Sequence, residues 1–260
     1  MALGISNGFG LLSDVEGRPL HYRFLKKQRH RANAIIARSS RIANDPVLDP
    51  AQFPWTDMLQ RHWKEIRAEA LAIYAHRAAI PPLREISPDH RRIVRDNSWR
   101  SFFLIGYGHR QEENIARAPR TAELVSQVPG LNSAFFSILA PGSHIVPHRG
   151  VTKAFFTAHL GLVVPAQPDR LWMRVGDERV HWEEGHWTIF DDTYEHEVRN
   201  DTEETRIILL CQVKRPLCAP GSWIAAALMR YVECSPFVRE AKDNLAGWET
   251  AYAKAERGEL

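Results

Sequence analysis

From about Ser133 to Lys214 the sequence breaks into short apolar runs, each bounded by a turn signal. Phe135–Ala140 stops at Pro141-Gly142, Phe155–Val164 stops at Pro165, and Leu171–Val175 meets Gly176-Asp177. Glu184-Gly185 precedes His186–Phe190, and Thr205–Val213 closes the set. Runs this short with turns this frequent predict an all-β sandwich or barrel. The flanks read differently. Leu59, Trp63, Ile66, Ala70 and Ile73 fall at helical spacing, predicting one amphipathic helix from Asp57 to Tyr74. Ile80-Pro81-Pro82 and Ser87-Pro88 punctuate a loop before the core. After Pro216 the pattern is helical again, over Ser222–Cys234 and, past Pro236, over Phe237–Glu256. The expected organisation is one compact unit: a basic segment and helices over 1–95, a β core over 96–216, and C-terminal helices over 217–260.

Composition excludes several classes. A hydrophobic share of 44% with 25% charged residues suits a globular chain that buries a core. The net charge of +3 is too mild to point to nucleic acid. Three cysteines (Cys211, Cys218, Cys234) have no CxxC spacing and form no disulfide framework, which favours the reducing cytoplasm. Met1 to Asp14 does not read as a signal peptide, and the apolar run Trp223–Met229 is far short of the roughly 20 residues of a membrane span. The charge is uneven, however. Between Gly17 and Asn44 stand Arg18, Arg23, Lys26, Lys27, Arg29, Arg31, Arg38 and Arg41, with no acidic residue. That stretch is either a solvated helix face or a patch that meets an anionic substrate or the anionic headgroups of the inner membrane face.

Strand periodicity sorts the core residues by face. His159 shares a face with Phe155, Thr157 and Gly161, opposite Phe156, Ala158, Leu160, Leu162 and Val164. Arg206 shares one with Ile208, Leu210 and Gln212, and Ser137 sits with Phe135 and Leu139. Each of three strands thus carries one polar group among apolar neighbours. If Arg206 points inward it needs an acid, and a bound carboxylate is one candidate; otherwise it lies at a strand edge, exposed or paired with a local glutamate. His148, in Pro147-His148-Arg149-Gly150, and His196, just past an apolar strand, are candidate ligands for a redox-active metal. With Arg206 they suggest an iron site that activates O2 using 2-oxoglutarate. Among the acids near His196 (Asp191, Asp192, Glu195, Glu197) one could be a third ligand or orient a ring. The cysteines do not cluster with these histidines, which argues against a structural zinc.

Several segments together carry a family resemblance. They are Trp99-Arg100-Ser101-Phe102-Phe103, Ala118-Pro119-Arg120-Thr121, Ser137–Gly142, Pro147–Gly150, His159–Pro165, Trp182-Glu183-Glu184-Gly185, and Phe190-Asp191-Asp192 through His196-Glu197-Val198. In order and with compatible spacing, the stretch Trp99–Pro216 resembles the aspartyl/asparaginyl β-hydroxylases, which are Fe(II)- and 2-oxoglutarate-dependent oxygenases. The resemblance implies a double-stranded β-helix, a cupin-like jelly roll, agreeing with the strand pattern. It implies His148 and His196 as iron ligands, with Gly150 where related oxygenases place an acid, and makes Asp192 a residue to test as a partial substitute. It implies Arg206 as the grip on the distal carboxylate of 2-oxoglutarate, with Trp99, Ser137 and His159 as further co-substrate contacts, and it places Thr157 on the same binding face. Relatives that hydroxylate aspartate carry an arginine where this chain has Thr157, so a protein aspartate is not the expected substrate. Arg92 or Arg95 could replace that clamp or be surface charges. The expected substrate is a small molecule or lipid: an acyl chain of lipid A or ornithine lipid, or else an amino-acid or peptide-borne side chain. Phe135 and Phe155 are expected to line an apolar pocket. A metal-binding barrel without catalysis is the alternative of another class; the set His148, His196 and Arg206 weighs against it.

Overall fold

Two antiparallel sheets form the core of the protein, seen here in a computed structural model that describes residues 20–86, 93–94, 96–233 and 236–257. Arg18, Ser87-Pro88, Arg92, Arg95 and Cys234 lie outside the described residues, as do the side chains of Arg23, Lys26 and Lys27. The chain opens with α1 (Leu20–Arg38), the short strand β1 (Val47–Leu48), α2 (Trp55–Arg61), α3 (Trp63–Tyr74) and α4 (Leu83–Ile86). Next come β2 (Trp99–Gly106), β3 (His109–Arg110), α5 (Glu112–Arg117) and α6 (Pro119–Ser126). Eight strands follow: β4 (Leu131–Leu139), β5 (Ser143–His148), β6 (Phe155–Val163), β7 (Leu171–Val175), β8 (Glu178–Val180), β9 (Trp187–Phe190), β10 (His196–Asn200) and β11 (Arg206–Lys214). Helices α7 (Gly221–Glu233) and α8 (Pro236–Glu256) close the described chain.

The larger sheet has the order β1-β9-β6-β11-β4-β2-β3 and the smaller the order β5-β10-β7-β8. From β4 to β11 the chain winds between the two sheets, which makes the double-stranded β-helix. The larger sheet is apolar on both faces. One face (Phe136, Ile138, Ala158, Leu160, Ile207, Leu209) packs against helices through Leu59, Ile66, Ala70 and Leu124. The other (Phe135, Leu139, Phe190, Ile208) packs against Ile145, Met173, Val175 and Val198 of the smaller sheet. A sheet covered on both sides reads as near-continuous hydrophobicity, which is why these strands look alike in sequence.

Three expectations need correction. The helix expected from Asp57 to Tyr74 is two helices, because His62 leaves helical geometry (φ −105°, ψ 13°) and bonds Glu65 through Nδ1 at 2.7 Å. Val164 packs with the interior cluster rather than with Leu160 and Leu162, because the β6–β11 register shifts between Ile207 and Ile208. Phe155 does not join Phe135. Phe135 stacks on Phe103 at 4.3 Å, while Phe155, opening β6, packs with Ile36, Ile224 and Met229 of α1 and α7.

Candidate active site

His148 is the last residue of β5 and His196 the first of β10, and the two are register partners across that antiparallel pair. Their rings stand 4.0 Å apart between centroids. Each ring is held from behind: His148 Nδ1 lies 2.8 Å from the Val146 carbonyl, and His196 Nδ1 lies 3.0 Å from that of Tyr194. A carbonyl only accepts, so both Nδ1 atoms carry the proton and both Nε2 lone pairs are left to bind a metal. Burial lowers the pKa of His148, and burial followed by the neighbouring His148 takes His196 down to about 3, so both rings are neutral near pH 7.

The acids around His196 are sorted by their partners. Glu197 is paired with Arg174 at 2.8 Å and His144 at 3.1 Å, and Glu195 with Arg174 at 3.4 Å and Arg149 at 3.6 Å. Asp191 is fully buried and takes Lys153 at 2.5 Å and Arg215 at 2.6 Å, while its other oxygen receives the Thr193 amide and hydroxyl. Asp192 differs. Its Oδ1 is buried without a partner among the described residues, its side chain is linked to Thr157, and burial followed by the Asp191 charge raises its pKa to about 7. A Cβ built on Gly150 would fall inside the Asp192 carboxylate. The acid is therefore stationed where a side chain two residues beyond His148 would project. Among the described residues, no third His, Cys, Asp or Glu completes a metal-binding cluster with the two histidines.

This packing makes a prediction. Gly150→Ala should destabilise the protein by about 1–3 kcal/mol through overpacking and displace Asp192. Adding Asp192→Ala should recover most of that loss, because the two sites share one volume. Thermal unfolding of the single and double variants measures the coupling. Strict additivity would mean that the carboxylate has another place to go.

Deeper in the barrel, Ser137, His159 and Arg206 lie buried on the interior face, so Arg206 takes the inward one of the two positions the strand pattern left open. Trp182 donates its indole N–H to His159 Nδ1 at 3.2 Å. Indole nitrogen only donates, so neutral His159 carries its proton on Nε2, and that atom is buried with no partner. Arg206 is 2% exposed, its Nε is likewise unpartnered, and it forms no ion pair among the described residues. Its guanidinium lies 5.0 Å from the Trp182 ring centre. Burial lowers its pKa to about 9, which leaves it charged at neutrality. Burial takes the His159 pKa well down, and the nearby Arg206 and His196 each push it further. Ser137 accepts the Trp99 indole N–H at 2.9 Å and keeps its own proton to donate. Trp182 did not stand out as a site residue in the sequence; its signal was the Trp182-Glu183-Glu184-Gly185 segment.

The set fits a metal and a diacid. Two neutral imidazoles stand side by side with Nε2 lone pairs to offer, and two buried N–H donors, on His159 and Arg206, have no partner among the described residues. A cation–π contact is worth about 2 kcal/mol when desolvated, whereas burying an unpaired ion costs several. Trp182 alone therefore does not compensate Arg206, and a bound carboxylate would.

Fold and site together define a double-stranded β-helix protein with a two-histidine centre. The family model described as aspartyl/asparaginyl beta-hydroxylase matches residues 60–216, reaching upstream of Trp99 into α2 and α3. This chain belongs to that family. It is 39% identical over 226 residues to an ornithine lipid ester-linked acyl 2-hydroxylase of Rhizobium tropici, covering 86% of this chain and 80% of the relative. It is 32% identical over 183 residues to the human aspartyl/asparaginyl beta-hydroxylase, covering 67% of this chain but 23% of that one. A Pseudomonas putida prolyl-4-hydroxylase structure overlaps 59% of this chain and 88% of its own at 21% identity and a TM-score of 0.38. The fold assignment rests on the strand order above, not on that overlap.

Proposed function

We propose that this chain is an Fe(II)- and 2-oxoglutarate-dependent hydroxylase whose substrate is the acyl chain of an amino-acid-containing lipid of the ornithine-lipid kind. The observation that carries the chemistry is Arg206, a buried cation with no anion paired to it among the described residues, on the face that also bears His159. A dicarboxylate is its natural complement, because guanidinium and carboxylate pair through parallel hydrogen bonds.

When bound, ferrous iron and 2-oxoglutarate supply the oxygen activation, with loss of succinate and CO2, that hydroxylates an unactivated C–H bond. The chain supplies the rest. His148 and His196 would hold the metal through Nε2, their tautomers fixed by Val146 and Tyr194. Arg206 would fix the distal carboxylate, with the Nε2–H of His159 and the Ser137 hydroxyl as further donors. Phe190 meets both His159 and His196 in edge-to-face ring contacts and would help to exclude water from the site.

The substrate half has two supports. The Rhizobium relative, by name a lipid acyl hydroxylase, aligns over most of both chains. Thr157 puts no guanidinium beside His159, and its side chain is engaged with Asp192. A substrate carboxylate would lack the guanidinium that an arginine at this position supplies, which disfavours peptide-borne aspartate.

Iron-loaded protein given 2-oxoglutarate and ornithine lipid in mixed micelles should release succinate in step with an acyl chain one oxygen heavier by mass spectrometry. Unchanged lipid with a hydroxylated amino acid or peptide would shift the substrate to that second reading. Metal binding with no succinate from any substrate would reduce the chain to a metal-binding barrel.

A further inference from the structure

Helices α1 and α7 pack on one another, and their outward side carries an unmatched set of residues. On α7 the exposed positions Trp223, Ala226, Ala227 and Arg230 follow one helical stripe. On α1 and just past it Arg31, Ala34, Arg38 and Arg41 do the same, with His30 beside them. Trp223 is 71% exposed; the other large apolar side chain left in solvent among the described residues is Leu71 on α3, at 41%. Many arginines elsewhere are matched, among them Arg110 by Glu112, Arg117 by Glu256, Arg120 by Glu65 and Glu123, and Arg174 by Glu195 and Glu197. Arg61, Arg77 and Arg179 also lack an ion pair among the described residues, but they are scattered and none has an exposed indole beside it. Arg31, Arg38, Arg41 and Arg230 form no ion pair with any described residue, and Arg41 donates from Nε to the Cys218 thiol at 3.1 Å. Residues 17–44 contain no acid, and α7 carries one, Glu233, at its far end.

This layer is tied to the site. Asn33 of α1 donates to the Val151 carbonyl and accepts from the Lys153 amide, each at 3.1 Å, and so holds the segment that follows His148. Gly221 begins α7 so close to Ser39 that a Cβ there would overlap the serine side chain, which fixes α7 to the end of α1.

We infer that the α1–α7 face is a docking surface for an anionic phospholipid bilayer, with Trp223 at the headgroup boundary and the four arginines on lipid phosphates. The Asn33 link then sets the His148 end of the barrel against the membrane. An exposed indole among alanines adds apolar area that a bilayer interface rewards. A polyanion such as nucleic acid would use the arginines alone, and a net charge of +3 gives it little field beyond this patch. The purpose of the surface rests on the lipid reading; its test does not.

The test is co-sedimentation with phosphatidylcholine vesicles, with and without phosphatidylglycerol. The unmodified protein should sediment with the anionic vesicles alone, and less as salt rises. Arg31→Gln with Arg38→Gln should weaken partitioning about 25-fold, from about fivefold per charge. Trp223→Ala should cost about tenfold, and Leu71→Ala nothing. The inference is overturned if anionic vesicles are ignored, if the variants bind like the parent, if Leu71→Ala loses as much as Trp223→Ala, or if duplex DNA strips the protein from vesicles. Vesicle binding with no hydroxylated lipid keeps this surface and removes the proposed substrate. Hydroxylation of micellar lipid by a protein that ignores vesicles does the reverse.

Discussion

Arg206→Ala should raise the 2-oxoglutarate concentration needed for half-maximal turnover by on the order of 100-fold or more, following the about 2–5 kcal/mol lost when one partner of a desolvated charge pair is truncated. The same site predicts an effect of opposite sign on stability. In the ligand-free protein Arg206 is a buried charge with no ion-pair partner among the described residues, so an apolar replacement of similar length removes a penalty. Arg206→Met should therefore melt no lower than the parent without co-substrate, while losing the melting-point rise that 2-oxoglutarate gives the parent. Measuring both separates a ligand-binding arginine from a structural one, whose loss would lower the melting point and leave the co-substrate requirement alone. The pH dependence agrees in sign. Folding lowers the Arg206 pKa to about 9 from 12.5, so this group opposes folding fully below about pH 9 and ceases to do so as pH rises towards 12.5.

His148→Ala should lower iron affinity by more than the 10- to 100-fold typical of losing an outer partner of a metal ligand, because one of two protein donors is gone. Its cost to the metal-free fold should be about 1 kcal/mol, since the half-buried ring gives up one hydrogen bond, to Val146. Mn(II), a redox-inert stand-in, should stabilise the parent against heat and leave the variant unmoved. Equal stabilisation of both would remove His148 from the metal centre.

Much of this molecule was legible along the chain because β structure writes its burial with a period of two. That rule put Ser137, His159 and Arg206 each on one face of its strand among apolar neighbours, and the turn signals bounded β6, β7 and β11 to within about two residues. It failed where regularity failed. The register shift at Ile207 turned Val164 inward, and the non-helical backbone at His62 split a helix whose apolar spacing runs through unbroken. The short strands β5 and β10 carry the two histidines, yet they are too brief and too polar to announce themselves by periodicity.

By itself the sequence determined the fold class, the family and which residues share a strand face, because local alternation and motif order are properties of one dimension. Tertiary structure alone decided which of four acids near His196 stays uncommitted, since Asp191, Glu195 and Glu197 are taken by Lys153, Arg215, Arg174, Arg149 and His144 from distant positions in the chain. It also decided that Asp192 fills the space beside Gly150, that Arg206 points inward and meets no anion among the described residues, and that Trp223 faces solvent. Each depends on what the rest of the chain brings within a few ångströms, and pairing between remote segments leaves no local mark on the residues it joins.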